Sequence, residues 1–225
     1  MKLTPFLCAG VLVTGVLASS CSKKNNDDVP VGPSSSDSAH VTFKVMASNT
    51  DSGLIRFTAV QGAGKQVAFK GNSTSRVEVY KYNFQPSNFL AAGGYELTSV
   101  AVQPGTYQNA EFNYQLIPSR DPALRLTGTW SGSGTAVPVE VNIDQFVEIA
   151  TKTPSVTLEA NKTYTALLNL DLKQLQAGIF PGDLAGATRT NGKIVIAYYS
   201  NPSLLQEFIN NINNVMQHQV TFTAQ

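Results

Sequence analysis

Histidine and cysteine, which commonly carry acid–base, nucleophilic or metal chemistry, occur only twice each in this sequence. The two histidines are His40 and His218, which would meet only if the terminal strands pair. A metal site or an acid–base pair needs several histidine, cysteine or carboxylate groups that converge. The sequence has no His-Glu-x-x-His motif, no serine nucleophile elbow and no glycine-rich phosphate loop. We therefore interpret the histidines as unrelated surface residues and expect no catalytic residue, no metal site and no cofactor.

Two carboxylates, Glu111 and Asp171, define an enzymatic alternative. A hydrolase that used them would need the two groups to face each other in a cleft. Glu111 belongs to a polar row with Asn109, Asn113 and Gln115, which alternates with apolar residues. Such a row could bind a hydroxylated ligand, although the solvated face of an antiparallel sheet explains it equally well and is preferred. A hydrolase is therefore the least favoured class.

An aromatic row offers a different kind of chemistry. Tyr80, Tyr82 and Phe84 alternate along one strand, so their rings share one face of a sheet. An open face would make the row a platform on which a sugar or peptide could stack. A covered face would make it part of the core, which we prefer, although two valines on the opposite face keep the question open. Trp130 could join either arrangement.

Cys21 follows a segment with the three parts of an export signal. Lys2 supplies the positive start, about thirteen apolar residues follow, and residues 18–20 are small. The apolar run, which contains the other cysteine, Cys8, is shorter than the roughly 20 residues that span a bilayer. Leu17-Ala18-Ser19-Ser20-Cys21 resembles the lipobox of bacterial lipoproteins. This resemblance implies that residues 1–20 are a signal peptide and that Cys21 carries a thioether-linked diacylglycerol. It also implies a further fatty acid, such as palmitate, on Cys21. An ordinary signal peptide with an incidental cysteine is the alternative.

Residues 21–39 predict a flexible tether, because they contain almost nothing to bury. Ser22, directly after the cysteine, resembles lipoproteins that are sent to the outer membrane of Gram-negative bacteria. Lys23 and Lys24, followed by two aspartates, loosely resemble a signal for surface exposure, but a solvated charge run is the preferred interpretation. We expect an outer-membrane protein that faces the periplasm or the cell surface.

The charge balance excludes one class of partner. The chain has 16 basic and 15 acidic residues, and removal of Lys2 leaves 15 of each. Binding to nucleic acid needs clustered lysine and arginine. The only adjacent basic pair lies in the tether, so nucleic acid is not an expected partner.

Residues 40–180 predict an antiparallel β-sandwich. About ten short alternating segments, separated by glycine, proline and asparagine turns, follow one another at 8–12-residue spacing. The clearest lies within 107–116. Residues 61–65 predict a turn from their two glycines, and residues 146–150 and 155–158 predict two separate strands around Pro154. The expected class is mainly β, with a Greek-key or transthyretin-like topology.

The last 45 residues, 181–225, predict a strand–helix–strand tail that packs on the sandwich. The only helix with convincing apolar periodicity covers 202–217 and begins after Asn201 at Pro202. Strands at 193–198 and 218–223 flank it.

Three segments carry a family resemblance. They are Gly71-Asn72-Ser73-Thr74-Ser75-Arg76-Val77-Glu78-Val79-Tyr80, Pro104-Gly105-Thr106-Tyr107 and Thr163-Tyr164-Thr165-Ala166-Leu167-Leu168-Asn169-Leu170-Asp171-Leu172. They resemble bacterial outer-membrane-type lipoproteins with a β-sandwich domain of unknown function. The resemblance implies the fold and no site residue.

These features together lead to three hypotheses about function. The favoured one is a lipid-anchored, non-catalytic binding or adhesion module for a glycan or a protein, with Tyr80, Tyr82 and Trp130 as the speculative ligand contacts. The second is a structural subunit of a surface complex that uses a sheet edge or the helix at 202–217. The third is the hydrolase.

Overall fold

Apolar residues that alternate with polar ones produce a mainly β domain in the computed structural model, which describes residues 37–51, 53–73, 76–82, 85–132, 134–215 and 220–224. The strands are β1 Ala39–Ser48, β2 Ile55–Gly62, β3 Gly64–Asn72, β4 Arg76–Tyr82, β5 Ser87–Asn88, β6 Tyr95–Val102, β7 Gly105–Leu116, β8 Leu124–Trp130, β9 Val137–Ile143, β10 Val147–Leu158, β11 Thr163–Asp171, β12 Arg189–Thr190, β13 Lys193–Ile196 and β14 Val220–Ala224. The helices are a 3₁₀ turn, Gln174–Gln176, and two α-helices, α1 Pro181–Ala185 and α2 Pro202–Val215. The predicted mainly β class is confirmed.

The strands form three sheets. Sheet I has the order β10-β7-β3-β4, sheet II the order β14-β11-β1-β6, and sheet III the order β12-β13-β9-β8-β2-β5. Sheet II contains a parallel pair, β1 with β11, and sheet III a parallel pair, β9 with β13. Parallel pairing requires crossover connections rather than hairpins, so these contacts join segments that are distant in sequence.

Sheets I and III are two halves of one bent surface. Each strand of sheet I is next in sequence to the strand at the corresponding place in the order of sheet III. The four pairs are β9/β10, β7/β8, β2/β3 and β4/β5. At the bend, Ala63 N–H donates to Ala123 O (2.9 Å), and Ile117 N–H donates to Ala63 O (3.0 Å). A Cβ on Gly62 or Gly64 would lie 2.2 Å from the Phe89 ring or 2.3 Å from the Tyr114 hydroxyl oxygen. The prediction of a simple turn at 61–65 was therefore wrong, because the glycines allow side chains to approach the chain where it changes sheets.

Sheet II packs face to face on sheet I, which makes the sandwich. The Phe43 and Phe112 rings stack across the interface with centroids 4.7 Å apart and planes 4° apart. The Phe69 ring meets Phe222 edge to face. Every second residue of β1 is buried, as the alternation predicted.

Strand β10 replaces the two strands predicted around Pro154. It continues through the proline because it lies at the edge of sheet I, where a missing N–H need not break the sheet. Asn109 adopts a left-handed φ of 50° on the neighbouring strand β7. Near the start of β7, the Tyr107 hydroxyl donates to Gln103 O (2.6 Å) and stabilises the turn at Pro104.

The C-terminal tail is distributed over the domain. Strand β13 extends sheet III beside β9, and β14 extends sheet II beside β11. Helix α2 buries four apolar residues, Leu204, Leu205, Phe208 and Ile212. The Phe208 ring meets the Phe57 ring of β2 edge to face, at 6.5 Å. Within residues 181–225 the order is α1, β12, β13, α2 and β14, so the segment contains a short helix and a short strand besides the predicted elements, and its strands belong to two sheets.

A chain of polar contacts crosses the outer face of sheet III. Arg125 Nε donates to Asn142 Oδ1 (3.3 Å), and Asn142 Nδ2 donates to Glu140 Oε1 (2.8 Å). Lys193 Nζ lies 2.7 Å from Glu140 Oε2. The hydrogen bond from Lys193, aided by that from Asn142, holds the pKa of Glu140 below its ordinary value despite partial burial. The three contacts join β8, β9 and β13.

We expect Glu140→Gln to lower the free energy of unfolding at pH 7 by about 1 kcal/mol, the upper range for an ion pair at the surface, because both side chains are partly buried. A lowered carboxyl pKa stabilises the fold above the unfolded pKa of about 4.3, and this contribution is lost as the pH falls through the folded pKa. Urea unfolding should therefore separate the two proteins at pH 7 and not at pH 3. The exposed Glu159→Gln variant is the control, and an equal difference at both pH values would contradict the assignment.

Candidate functional site

The outer face of sheet I carries a regular array of polar and aromatic side chains. The strand register places three rows across β4, β3, β7 and β10. The rows are Tyr82–Gln66–Gln115–Glu148, Tyr80–Ala68–Asn113–Ala150 and Glu78–Lys70–Glu111–Lys152. We call this array the tyrosine surface.

The Tyr80 and Tyr82 rings lie nearly parallel on this face, with centroids 6.3 Å apart and planes 13° apart. Tyr82 is 56% exposed and Tyr80 is half-buried. The Tyr80 hydroxyl donates to Glu78 Oε2 (2.5 Å), which orients that ring. The preferred core interpretation of the two tyrosines was wrong, because Val79 on the opposite face of β4 is the residue that packs against the core. Phe84 lies outside the described residues.

Trp130 does not belong to the tyrosine surface. Its side chain is 2% exposed and lies in the core, at the end of β8 between Ile55 and Val137 of the neighbouring strands. A Cβ on Gly132 would be 2.6 Å from Trp130 Nε1, so the glycine lies directly against the indole. The prediction of Trp130 as a ligand contact is corrected here, because the alternation of β8 turns the indole inward.

Asn113 lies in the middle of the array and is nearly fully buried, at 2% exposed, although it points to the outer face. The alanines on either side of it in the row are short, so the burial comes from longer neighbours. Asn113 Nδ2 donates to Glu148 Oε1 of β10. Its Oδ1 accepts no hydrogen bond from any residue that the structure describes. Such a buried acceptor costs about 1–3 kcal/mol until a donor reaches it.

The third row is ion-paired internally. Glu111 Oε2 lies 3.3 Å from Lys152 Nζ, and Glu111 Oε1 lies 3.8 Å from Lys70 Nζ. Both lysines thus share one carboxylate. The other two carboxylates, Glu78 of β4 and Glu148 of β10, accept hydrogen bonds from Tyr80 and Asn113 respectively.

The carboxylates of the hydrolase alternative belong to different sheets and have separate partners. Asp171 Oδ1 accepts the backbone N–H groups of Lys173 and Gln174, and its Oδ2 accepts Asn49 Nδ2 (2.9 Å). Glu111 is held by the two lysines of sheet I. In the described ranges, no group of three or more histidine, cysteine or acidic side chains could hold a metal ion. His40 lies on β1 beside Thr163, and His218 lies outside the described residues.

A groove of about 510 Å³ lies at the C-terminal end of β1, between the β1–β2 loop, β2 and residues 90–92. Met46 and Phe57 contribute apolar surface to it. Its arginine, Arg56, is paired with Asp51 at 2.7 Å, and both side chains are mostly exposed. Exposed pairs of this kind are typical of solvated surface, and the partly buried polar contact at the groove, from Asn49 to Asp171, is already satisfied within the protein.

The tyrosine surface lies near the bend and far from the point where the chain enters the domain. Ser38 O accepts the backbone N–H of Asn161 (3.1 Å), so the entry point is beside the end of β10. Glu148 is near the start of that strand. Strands rise about 3.3 Å per residue, so the ten residues from Glu148 to Leu158 separate the two places by roughly 33 Å.

Sequence reasoning placed Asn113 and Glu111 on a polar face but missed Gln66, Lys70 and Glu148. The polar positions of β3 and β10 were readable from their alternation. The alternation does not predict which strands are neighbours in the sheet, because β3, β7 and β10 are distant from one another in sequence.

Comparison with known proteins found no match to a family model, to a curated protein or to a solved structure. None of the helices in the described ranges combines the length and the apolar character needed to cross a bilayer.

Proposed function

We propose that this protein is an outer-membrane lipoprotein, anchored by lipid on Cys21, whose domain is a non-catalytic binding module with the tyrosine surface as its ligand contact. The lipobox-like residues before Cys21 support the anchor. The polar composition of residues 22–36 supports a spacer between lipid and domain. The ligand is a glycan or a protein.

One observation carries the binding proposal: two parallel tyrosine rings lie on a solvent-facing sheet surface instead of in the core. Aromatic rings dominate binding energetics because they bury a large area and keep a polar tip. The surface spans Glu148 to Lys152 on β10, roughly 20–33 Å by strand rise from the end of that strand, beside which the chain enters the domain.

The test compares two exposed tyrosine pairs in the full-length protein, purified in mild detergent. Tyr80→Thr/Tyr82→Thr removes the rings from the tyrosine surface and introduces β-branched residues that suit a strand. Tyr198→Thr/Tyr199→Thr is the matched control, because those rings are 71% and 65% exposed on a separate turn. Each protein is applied to a glycan array and to immobilised envelope proteins of the producing cells.

We expect the first double variant to lose retention at least tenfold and the second to keep it, since buried aromatic anchors commonly contribute more than 1–2 kcal/mol each. Equal melting temperatures would show that both variants fold. Retention that is unchanged in the Tyr80→Thr/Tyr82→Thr protein would reject the tyrosine surface as the ligand contact.

A second observation favours a structural subunit as the alternative function. The parallel strands β9 and β13 end side by side, which brings exposed Phe146 and the exposed Tyr198–Tyr199 turn to the same end of sheet III. Aromatic side chains are enriched at protein interfaces. The apolar face of α2 packs within its own chain, so the helix-based version of this alternative loses its contact face. Loss of a co-purifying partner in the Tyr198→Thr/Tyr199→Thr protein would support the alternative.

A further inference from the structure

We propose that the ligand of the tyrosine surface is a neutral, hydroxyl-rich glycan. This inference rests on the proposed function and specifies the chemical class of ligand for the same site. Three properties of the surface lead to it: its charge, its hydrogen-bonding groups and its rings.

The charges of the surface disfavour an anionic ligand. Its two lysines, Lys70 and Lys152, are both paired with Glu111. Within the three rows, the carboxylates Glu78, Glu111 and Glu148 outnumber the two lysines, so an approaching anion would meet net negative charge. A like charge at close range is repulsive even where solvent weakens it. Polyuronates, phosphorylated glycans and acidic peptides are therefore poor candidates.

Two of these carboxylates already accept hydrogen bonds from neighbouring side chains, which occupy part of the acceptor capacity that a cationic ligand would use. Glu78 accepts the Tyr80 hydroxyl proton, and Glu148 accepts from Asn113 Nδ2. A lysine-rich peptide would have to compete with these contacts. A neutral ligand leaves them in place.

The remaining polar groups suit hydroxyls. Gln66 and Gln115 lie side by side in the row of Tyr82, and each primary amide offers both donors and an acceptor. Asn113 Oδ1, in the next row, has no donor among the described residues. A sugar hydroxyl can donate to one amide and accept from another, so a diol matches this arrangement.

The rings supply the apolar part of the contact. A pyranose has one apolar face of C–H groups, and the parallel Tyr80 and Tyr82 rings form an extended aromatic surface for it. Such stacking depends on the ring and not on the phenolic hydroxyl. Tyr82→Phe should therefore bind like the natural protein, whereas Tyr82→Thr should not.

The experiment measures retention of the detergent-purified full chain on an array that carries neutral glycans, polyuronates and oligolysine peptides. We expect retention on at least one neutral glycan, changed less than twofold between 50 and 500 mM NaCl, because no charge pair forms. We expect Tyr82→Thr to weaken it about tenfold or more, Tyr82→Phe less than twofold, and the control Tyr199→Thr not at all.

The outcomes separate the two proposals. Retention only on polyuronates or oligolysine, lost at 500 mM NaCl and dependent on Tyr82, would overturn the neutral-glycan assignment and leave the binding module standing. Tyr82-dependent retention on none of these arrayed ligands but on the immobilised envelope proteins of the first test would do the same. Retention of a neutral glycan that no tyrosine substitution affects would overturn both. The absence of any retained neutral glycan would overturn the assignment of ligand class.

Discussion

Cys21→Ser is expected to transfer this protein from the membrane fraction to the soluble fraction. Each buried methylene of an acyl chain contributes about 0.8 kcal/mol to membrane binding, and two or three chains together hold a protein firmly. Serine has no thiol to accept the diacylglycerol, so the whole of this contribution is lost. The measurement is ultracentrifugation of lysed cells followed by immunoblotting, with the intact mass of the membrane-bound protein as a second readout.

Cys8→Ser is the matched control, because Cys8 is the other cysteine of the chain and lies within the proposed signal peptide. This variant should remain in the membrane fraction and carry the same acyl mass. Palmitate analogues that can be coupled to a dye should label the natural protein and Cys8→Ser but not Cys21→Ser. An unmodified Cys21 thiol in protein from the producing cells, with residues 1–20 still attached, would reject the lipoprotein assignment.

Gln176→Leu is expected to give the largest loss of stability among single substitutions of polar residues in the domain. Gln176 is 5% exposed and lies in the 3₁₀ turn after β11. Its Oε1 accepts the backbone N–H of Ile55 (2.7 Å), and its Nε2 donates to Ile55 O (3.1 Å) and Leu172 O (2.9 Å). The primary amide thus pairs with β2 as a neighbouring strand would, at the end of β2 that β5 does not reach.

Leucine has a similar volume but leaves the three backbone groups without these contacts inside the protein. Unsatisfied buried polar groups cost about 1–3 kcal/mol each, so a total loss of about 3 kcal/mol is expected. For a domain of this size that corresponds to a fall in melting temperature of roughly 6–12 °C. Circular dichroism melts and urea titrations would measure it.

Gln174→Leu provides the control, since Gln174 is exposed in the same turn and only its backbone N–H contacts Asp171. It should melt within about 2 °C of the natural protein, as surface substitutions usually change stability by less than 0.5 kcal/mol. If both leucine variants melt alike, the amide of Gln176 does not hold β2 in place. The Gly53→Ala variant tests the same contact independently, because its Cβ would lie 2.1 Å from Gln176 Nε2.

Local sequence patterns were sufficient to predict several elements of this protein. Alternation of apolar and polar residues defined strands such as β1 and β7, since a period of two directly gives two faces. Apolar spacing and the Asn201-Pro202 start predicted α2, which the structure places at Pro202–Val215. The lipobox-like residues are likewise a property of a short segment, and they remain the basis of the proposed anchor.

Long-range pairing decided the rest, because period two does not say which face another sheet will cover. The same alternation that put Tyr80 and Tyr82 on one face of β4 left open whether that face was solvent or core. It also left Trp130 undecided, and sheet packing buried it. The pairing of β1 with β11 and of β9 with β13 joins residues more than 50 positions apart in sequence. Only that assembly sets Asn113 between two alanines and brings Glu148 beside it, since each comes from a different strand.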